Sequence, residues 1–234
     1  MIALISSVPE EGKLSIRQLK KRSVLAGKPV CKGRIHGKEV IYMFSCMGKT
    51  NAAHAATLLM ERFSPDMIIL FGVGGAYPSS GLRVGDIAVA EKEVYGDEGF
   101  LVRQGFRGTE FMGIPLAKKG RRKYFNEFPL NRELVEKAEE ASLRVTGVKS
   151  GTFVTVSTCT GTRKRAVALK RRFGAICENM EGASVAHICT LYKTPMVEIR
   201  GISNIVEDRD REKWNIGLAA ENCQRAIMEV LKNL

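Results

Sequence analysis

The 234-residue sequence has no apolar stretch approaching the ~20 residues that a helix needs to cross a bilayer. Its first residues, MIALISSVPEEGK, carry no basic flank and reach Pro9 and two glutamates too early for a signal peptide. The cysteines include no C-x-x-C pair and no partner at zinc-finger spacing. These absences argue against a membrane span, a disulfide framework and a zinc site. They predict a cytoplasmic chain without a metal or another cofactor.

Two nucleotide-binding motifs are incomplete. MGKT at 47–50 would need a glycine at Met43 to form a phosphate loop. GVGGAYPSSG resembles a dinucleotide-binding turn, but Tyr77 stands in place of its last glycine. A glycine-rich turn after a buried strand still allows a ligand to approach the backbone closely, so Gly74 and Gly75 are candidate binding residues. A tight turn without a ligand is the simpler alternative.

The three histidines stand alone in the sequence. His187 follows Glu181 by six residues, which places the two on different faces of a helix. A structural or surface role is therefore favoured over catalysis for His187.

The net charge of +12 is the unusual bulk property of this chain. Such a charge fits nucleic acid, an acidic membrane, an anionic substrate or growth at high temperature. The basic residues are spread over several segments, which disfavours nucleic acid as the partner. Hydrophobic and charged contents of 44% and 26% are ordinary for a globular protein, and the length suits one domain over residues 1–234.

Short β-branched runs alternate with amphipathic segments of helical length. The pattern predicts a strand in MIALIS, a hairpin that turns near Gly37, a long ordered loop over 100–130, and a helix capped by Asn131. Further strands are predicted in MIILFGVGG, DIAVAEKEVYGD, GTFVTVS and MVEIRGIS, with helices in KTNAAHAATLLMERF, TRKRAVALKRRF and NIGLAAENCQRAIMEVLKNL. The fold class is therefore α/β, with a central, mostly parallel sheet.

Polar residues stand where these strands end or a helix begins. Glu11 closes the first strand, Glu181 opens a helix, and Ser203 with Asn204 ends the strand MVEIRGIS. Each has a simpler explanation: a loop charge, an acid at a helix N-terminus, or a turn former. Together they lie at the sheet edge where α/β folds bind ligands.

The segments GKTNAAHAATLLMERFSPDMIILFGVGGAYPSSGLRVGDIAVAEKEVYGDEG, ENMEGASVAHIC and EIRGISN resemble the nucleoside phosphorylase/nucleosidase superfamily, on its 5'-methylthioadenosine/S-adenosylhomocysteine nucleosidase branch. SVPEE, GGAYPSSGL, VYGDEG, TVSTCTGT and RGISNIVEDRDREKW most resemble the futalosine hydrolases, which release hypoxanthine from futalosine on a route to menaquinone. The resemblance implies a three-layer α/β/α sandwich around a mixed, mostly parallel sheet.

The resemblance also assigns roles by position. Glu11 matches the acid that orients and deprotonates the attacking water, and Glu181 matches the acid that holds the ribose hydroxyls. Met180 packs on the sugar, and Asn204 replaces an aspartate of the adenine-specific enzymes. Flanking positions complete the set: Cys159 and Thr160 beside the base, and Phe106, Met112 and Ile114 in a loop that reaches a neighbouring subunit in dimeric relatives.

Asn204 predicts a 6-oxopurine base. Hypoxanthine presents two acceptors, N7 and O6, which suit an amide NH₂, whereas adenine pairs an acceptor with a donor. The loop SVPEEG carries two acids that would repel phosphate, which favours hydrolysis over phosphorolysis. Arg200 is a cation that could bind phosphate and so support phosphorolysis, but it lies inside a strand. Arg209 and Arg211 are candidate partners of the benzoate of futalosine, with an exposed ion-paired loop as the simpler alternative.

The sequence therefore predicts a homo-oligomeric nucleosidase that hydrolyses futalosine, a small nucleoside, at a metal-free site. One alternative is a related nucleosidase or phosphorylase acting on methylthioadenosine, S-adenosylhomocysteine or inosine. Another is an inactive, basic nucleic-acid-binding protein of the same fold.

Overall fold

The computed structural model describes residues 1–234, in which six α-helices separate single strands or runs of consecutive strands. The helices are α1 Lys13–Gln18, α2 Lys49–Phe63, α3 Arg132–Ser142, α4 Arg163–Phe173, α5 Gly182–Tyr192 and α6 Ile216–Asn233. The strands are β1 Ile2–Ser6, β2 Lys21–Leu25, β3 Lys28–Ile35, β4 Lys38–Phe44, β5 Met67–Ala76, β6 Ile87–Tyr95, β7 Phe100–Val102, β8 Gly105–Arg107, β9 Ala117–Lys119, β10 Arg122–Tyr124, β11 Glu127–Pro129, β12 Val148–Thr155, β13 Ala175–Asn179 and β14 Met196–Ile205. No helix is both long and apolar enough to span a membrane.

Ten strands form one sheet, which closes on itself at its centre. The order β11-β6-β12-β13-β5-β1-β4-β3-β2 runs across the sheet, and β14 pairs with both β5 and β6. Strands β5, β14, β6, β12 and β13 therefore form a ring. Because the ring is closed, each of these five strands is hydrogen-bonded to a neighbouring strand on both of its edges.

The sheet is mixed, as predicted, but it is not mostly parallel. Five strand pairings are parallel, and five are antiparallel. The β2–β3–β4 meander, the edge strand β11 and the two junctions of the ring supply the antiparallel pairings. Because the centre of the sheet is a ring, a flat three-layer sandwich describes only part of the architecture.

Helices cover the sheet on two sides. One buried cluster joins α3 and α6 to the sheet through Val135, Ala138, Ile227 and Leu231. A second cluster packs the small residues of α2 and α5, such as Ala55 and Ala186, against the other side. Small side chains let α2 and α5 approach the strands closely, which explains the alanine-rich composition of both helices.

Most predicted elements lie where the hydrophobic pattern placed them. Helix α2 covers the predicted segment, His36 and Gly37 form the turn between β3 and β4, and the Asn131 side chain caps α3 by accepting from Leu134 N at 3.0 Å. The segment 100–130 is more regular than the predicted loop, because it contains the hairpins β7–β8 and β9–β10 and the edge strand β11. Glu11 lies in a short 3-10 turn, since β1 ends at Ser6.

Candidate active site

A cavity of about 340 Å³ opens at the carboxyl ends of β1, β5, β13 and β14. This is the sheet edge at which the sequence placed its candidate residues. The cavity brings together nine of the eleven predicted site residues: Glu11, Gly74, Gly75, Cys159, Thr160, Met180, Glu181, Ser203 and Asn204.

Glu11 is a buried carboxylate held by backbone amides. Its Oε2 accepts from Ser7 N at 2.9 Å and Val8 N at 3.2 Å, and its Oε1 accepts from Val73 N at 2.9 Å. Burial raises the pKa of Glu11, while the nearby Arg200 and the backbone donors oppose the shift. A fixed carboxylate with a raised pKa is suited to act as a general base.

The hydroxyl of Ser7 lies on the cavity wall beside Glu11. Its Oγ is buried and has no hydrogen-bonding partner in the protein. Buried hydroxyls are normally paired, so the unpaired Ser7 Oγ is an exception in the cavity wall. No sequence signal distinguishes Ser7, because a serine after a strand is common.

Glu181 stands at the N-cap of α5, yet its side chain makes no capping hydrogen bond. Oε1 accepts from Gly48 N at 2.9 Å, and Oε2 lies 3.3 Å from Arg200 Nη2. The helix N-terminus is capped instead by Asn179, whose Oδ1 accepts from Glu181 N and Gly182 N at 2.9 and 2.7 Å. The Glu181 carboxylate is thereby left to face the cavity.

Arg200 is fully buried, and it links the cavity to a second layer of acids. Its Nε donates to Glu198 Oε1 at 2.9 Å, and Nη1 donates to Val73 O at 3.3 Å. Burial disfavours its charge, but Glu198 and Glu181 outweigh burial and raise the pKa of Arg200. Arg200 is therefore a fixed cation that orients Glu181, a role the sequence did not indicate.

Behind Arg200 lies a buried pair of carboxyls, Glu93 and Glu198. Glu93 accepts from Thr155 Oγ1 at 2.7 Å and from Asn179 Nδ2 at 2.5 Å. Burial, followed by the charge of Glu198, raises the pKa of Glu93 well above its ordinary value. Burial also raises the pKa of Glu198, and Arg200 opposes that shift. Both carboxyls are thus biased toward protonation, and Glu93 more strongly, because Glu198 lies beside the Arg200 guanidinium.

Asn204 and Ser203 present an oriented amide to the cavity. Ser203 Oγ donates to Asn204 Oδ1 at 2.8 Å, and Asn204 Nδ2 donates to Ile205 O at 3.1 Å. An amide NH₂ has two donors, so one N–H of Asn204 remains for a ligand.

Glu178 lies on the wall next to Thr160. Its Oε2 accepts from Thr160 Oγ1 at 2.6 Å and from Tyr77 Oη at 2.9 Å, and its Oε1 accepts from Thr160 N at 2.8 Å. The sequence did not single out Glu178, because the short strand β13 was not recognised between two helical segments.

The cavity rim carries an aromatic residue and a cation. Trp214 and Ile216 line the rim, and the guanidinium of Arg209 lies 4.9 Å from the Trp214 ring centroid. Arg209 lines the cavity and has no carboxylate partner within 4.0 Å, so the alternative of an ion-paired loop residue is wrong for Arg209. Arg211 does not line the cavity. The structure therefore separates two arginines that the sequence could not.

Phe106 and Met112 lie outside the cavity of their own chain. Phe106 packs under Arg172, whose guanidinium is 5.1 Å from the ring centroid, and Met112 is half exposed. Their predicted contribution to a neighbouring subunit's cavity stays a prediction. His187 also lies away from the cavity: Nε2 is 3.0 Å from Leu116 O, and burial lowers the pKa of His187.

A family model described as the phosphorylase superfamily matches residues 1–232. The chain belongs to this superfamily. The predicted resemblance is confirmed. Among curated superfamily members, futalosine hydrolase of Thermus thermophilus is 34% identical over 84% of this chain and 83% of its own length. A 5'-methylthioadenosine/S-adenosylhomocysteine nucleosidase of Geobacillus kaustophilus is 31% identical over 98% of this chain and 95% of its own. Both names agree with the predicted hydrolase of N-glycosyl compounds.

Solved structures of superfamily members share the fold. A nucleosidase from Neisseria meningitidis in complex with methylthio-immucillin-A has a TM-score of 0.85 at 22% identity, over 100% of this chain and 99% of that one. The native futalosine hydrolase of Helicobacter pylori has a TM-score of 0.84 at 22% identity, over 100% and 97%. The α/β nucleoside phosphorylase-like fold is therefore established for this superfamily member.

Proposed function

We propose that this enzyme hydrolyses the N-glycosidic bond of futalosine, releasing hypoxanthine and dehypoxanthine futalosine in menaquinone biosynthesis. The observation that carries the proposal is the cavity-lining Asn204 amide, which Ser203 holds and which keeps one N–H without a partner in the protein. An amide donor suits the N7 and O6 acceptors of hypoxanthine.

Three groups divide the chemistry. Cleavage builds positive charge on the ribose and negative charge on the departing purine. Glu181 binds the ribose hydroxyls and stabilises the sugar cation, while Met180 packs against the ring. Glu11 positions and deprotonates water, and Asn204 donates to the purine as it leaves.

The surroundings of the ribose site support water as the nucleophile. Arg200, the buried cation there, forms ion pairs with Glu198 and Glu181, although its Nη2 makes no hydrogen bond. A phosphate dianion would face Glu11 and Glu181 without an unpaired cation between them. A neutral water molecule fits this environment better than a dianion does.

The far end of the substrate carries a benzoate, for which Arg209 is the proposed partner. Its guanidinium lines the rim, stacks on Trp214 and carries no ion pair. Trp214 would pack against the aromatic ring of the tail. In a homodimer, Phe106 and Met112 would approach the same end from the neighbouring subunit.

A second candidate function is an adenine-releasing nucleosidase. It is favoured by the 31% identity to the Geobacillus kaustophilus nucleosidase, over nearly the whole of both chains. Asn204 argues against it, because an amide cannot supply the acid proton that an aspartate would give to adenine. A basic nucleic-acid-binding protein is disfavoured, since such a protein would not need three buried acids around one cavity.

The test is base release from futalosine, aminofutalosine, methylthioadenosine and inosine, followed by chromatography without phosphate. We expect hypoxanthine to be released fastest from futalosine and more slowly from inosine, with little adenine from aminofutalosine or methylthioadenosine. Adenine release would replace the proposed function with the second candidate. Cleavage that requires added phosphate would make the enzyme a phosphorylase.

A further inference from the structure

Glu178 faces the cavity from the strand on the other side of Gly75 from Asn204. In the sheet, Gly75 of β5 is in register with Glu178 of β13 and with Asn204 of β14. Neighbouring strands lie about 4.8 Å apart, so the two Cα atoms are separated by about 10 Å. The side chains therefore stand on two sides of a glycine.

Gly75 keeps this part of the wall flat. A Cβ atom on Gly75 would lie 2.6 Å from Val206 Cγ2 and 3.4 Å from Asn204 Nδ2. The adjacent Gly74 is equally confined, because its Cβ would lie 2.7 Å from Cys177 Sγ. A ring bound in the cavity beside Gly75 meets the Asn204 amide at one edge and the Glu178 carboxylate at the other.

The Glu178 carboxylate keeps one acceptor position unused. A carboxylate has about four lone-pair sites, and it donates nothing when ionised. Thr160 and Tyr77 fill one site on Oε1 and two on Oε2. The unused acceptor site is on Oε1, and the three donors fix the orientation of the carboxylate that carries it.

The two purines differ at the ring nitrogen N1. Hypoxanthine carries a hydrogen there and is a donor, whereas N1 of adenine is an acceptor. A fixed carboxylate attracts the first and repels the second. Sites built to hydrogen-bond one partner reject a mismatched one by up to ~10⁴-fold, because buried polar groups are left unpaired.

We propose that Glu178 is a specificity-determining residue that accepts the N1–H of a 6-oxopurine, opposite the donor that Asn204 offers to N7 and O6. The inference deepens the proposed function, on which it rests for the placement of a purine in the cavity. Together the two side chains test both edges that distinguish hypoxanthine from adenine.

The test compares Glu178→Gln with the wild type on two pairs of nucleosides, inosine with adenosine and futalosine with aminofutalosine. The amide of the variant presents either its neutral oxygen or its NH₂ group at the position of the wild-type carboxylate oxygen. We expect kcat/KM for the 6-oxopurines to fall about 10–100-fold, the loss of one hydrogen bond to a charged group. The 6-aminopurines should change less than about threefold or improve. Glu91→Gln, at an exposed position of β6, is the matched control.

A change in the ligand repeats the test without altering the protein. 1-Methylinosine lacks the N1–H, so the wild type should cleave it much more slowly than inosine. In Glu178→Gln the same methyl group should cost less, because the hydrogen bond is already lost and the two losses do not add. Equal methyl costs in both proteins would overturn the proposal.

The outcomes separate this inference from the proposed function. Cleavage of inosine but not futalosine would reject the futalosine assignment, while the inosine–adenosine comparison would still decide the role of Glu178. Cleavage of futalosine with equal losses for both bases in Glu178→Gln would reject the role of Glu178 alone. If no nucleoside is cleaved, calorimetric titration with free hypoxanthine decides: tighter binding to the wild type than to the variant supports the proposal, and equal or absent binding overturns it.

Discussion

At the scale of single residues, two neighbouring glutamates in one loop have opposite environments. Glu10 is exposed, whereas Glu11 is 4% exposed and accepts three backbone hydrogen bonds. Of the two, only Glu11 lines the cavity. The pair therefore offers a direct comparison of a surface acid with a proposed base.

Glu11→Gln should lower kcat/KM by about 10²–10⁴, the usual contribution of a general base. Glu10→Gln should leave kcat/KM unchanged and serves as the control. Both variants should be checked by thermal unfolding, because the amide that replaces the Glu11 carboxylate meets backbone donors. Activity of Glu11→Gln within a few-fold of wild type would remove Glu11 from the mechanism.

The raised pKa of Glu11 also predicts the acidic limb of the pH profile. A base acts when deprotonated, so kcat/KM should fall as pH decreases through the pKa of Glu11. Burial raises that pKa above its ordinary value of 4.5, and the limb should therefore lie above pH 4.5. A profile of kcat/KM that stays flat down to pH 4.5 would contradict this assignment.

Arg209 and Arg211 provide a second residue-scale comparison. Arg209→Ala should raise KM for futalosine about tenfold, the order expected for one hydrogen bond to a charged group. Inosine lacks the benzoate, so its KM should not change. Arg211→Ala is the control outside the cavity. An equal effect on both substrates would mean that Arg209 does not bind the tail.

At the scale of elements, strands β6 and β14 bring Glu93 and Glu198 together beneath the N-terminus of α5. A Cβ on Gly182 would lie 2.0 Å from Glu93 Oε1 and 2.4 Å from Glu198 Oε2, so a side chain at this position would displace both carboxyls. Glu93 supports the Asn179 cap and Glu198 supports Arg200. Through these contacts, the two acids hold Asn179 and Arg200, the side chains that orient Glu181.

The two acids should respond differently to the same substitution. Glu93→Gln places a neutral amide where burial and the charge of Glu198 raise the carboxyl pKa well above its ordinary value, so it should lower the free energy of unfolding by no more than about 1 kcal/mol at neutral pH. Glu198→Gln leaves the buried Arg200 without its main partner and should cost about 3–5 kcal/mol. Urea unfolding of both variants measures the difference, and similar losses would show that Glu93 is not protonated.

The candidate site was only partly predictable from the sequence. Glu11, Glu181 and Asn204 could be found because each stands beside a recognisable strand end or helix start. Glu178 could not, since β13 is a five-residue strand between two helices. Glu93 and Glu198 are separated by a long stretch of the chain, and only the closed ring places them in contact.

At the scale of the whole molecule, the net charge of +12 has a kinetic consequence. A positive field accelerates the encounter with anionic ligands, and salt screens it over about 8–10 Å. The kcat/KM for futalosine should therefore fall as salt rises from about 20 to about 300 mM, while that for neutral inosine should stay nearly constant. Equal salt dependence for the two substrates would show that the positive charge of the protein does not accelerate its encounter with futalosine.

The closed ring of strands also constrains how the chain folds. Strands β5 and β6 follow each other in sequence, yet β14, which carries Arg200, Ser203 and Asn204, is inserted between them. Until residues 196–205 arrive, β5 and β6 each expose an edge to any passing strand. During synthesis the catalytic centre is therefore assembled near the end, and the interval before β14 docks is the period in which the nascent chain most needs protection from misfolding.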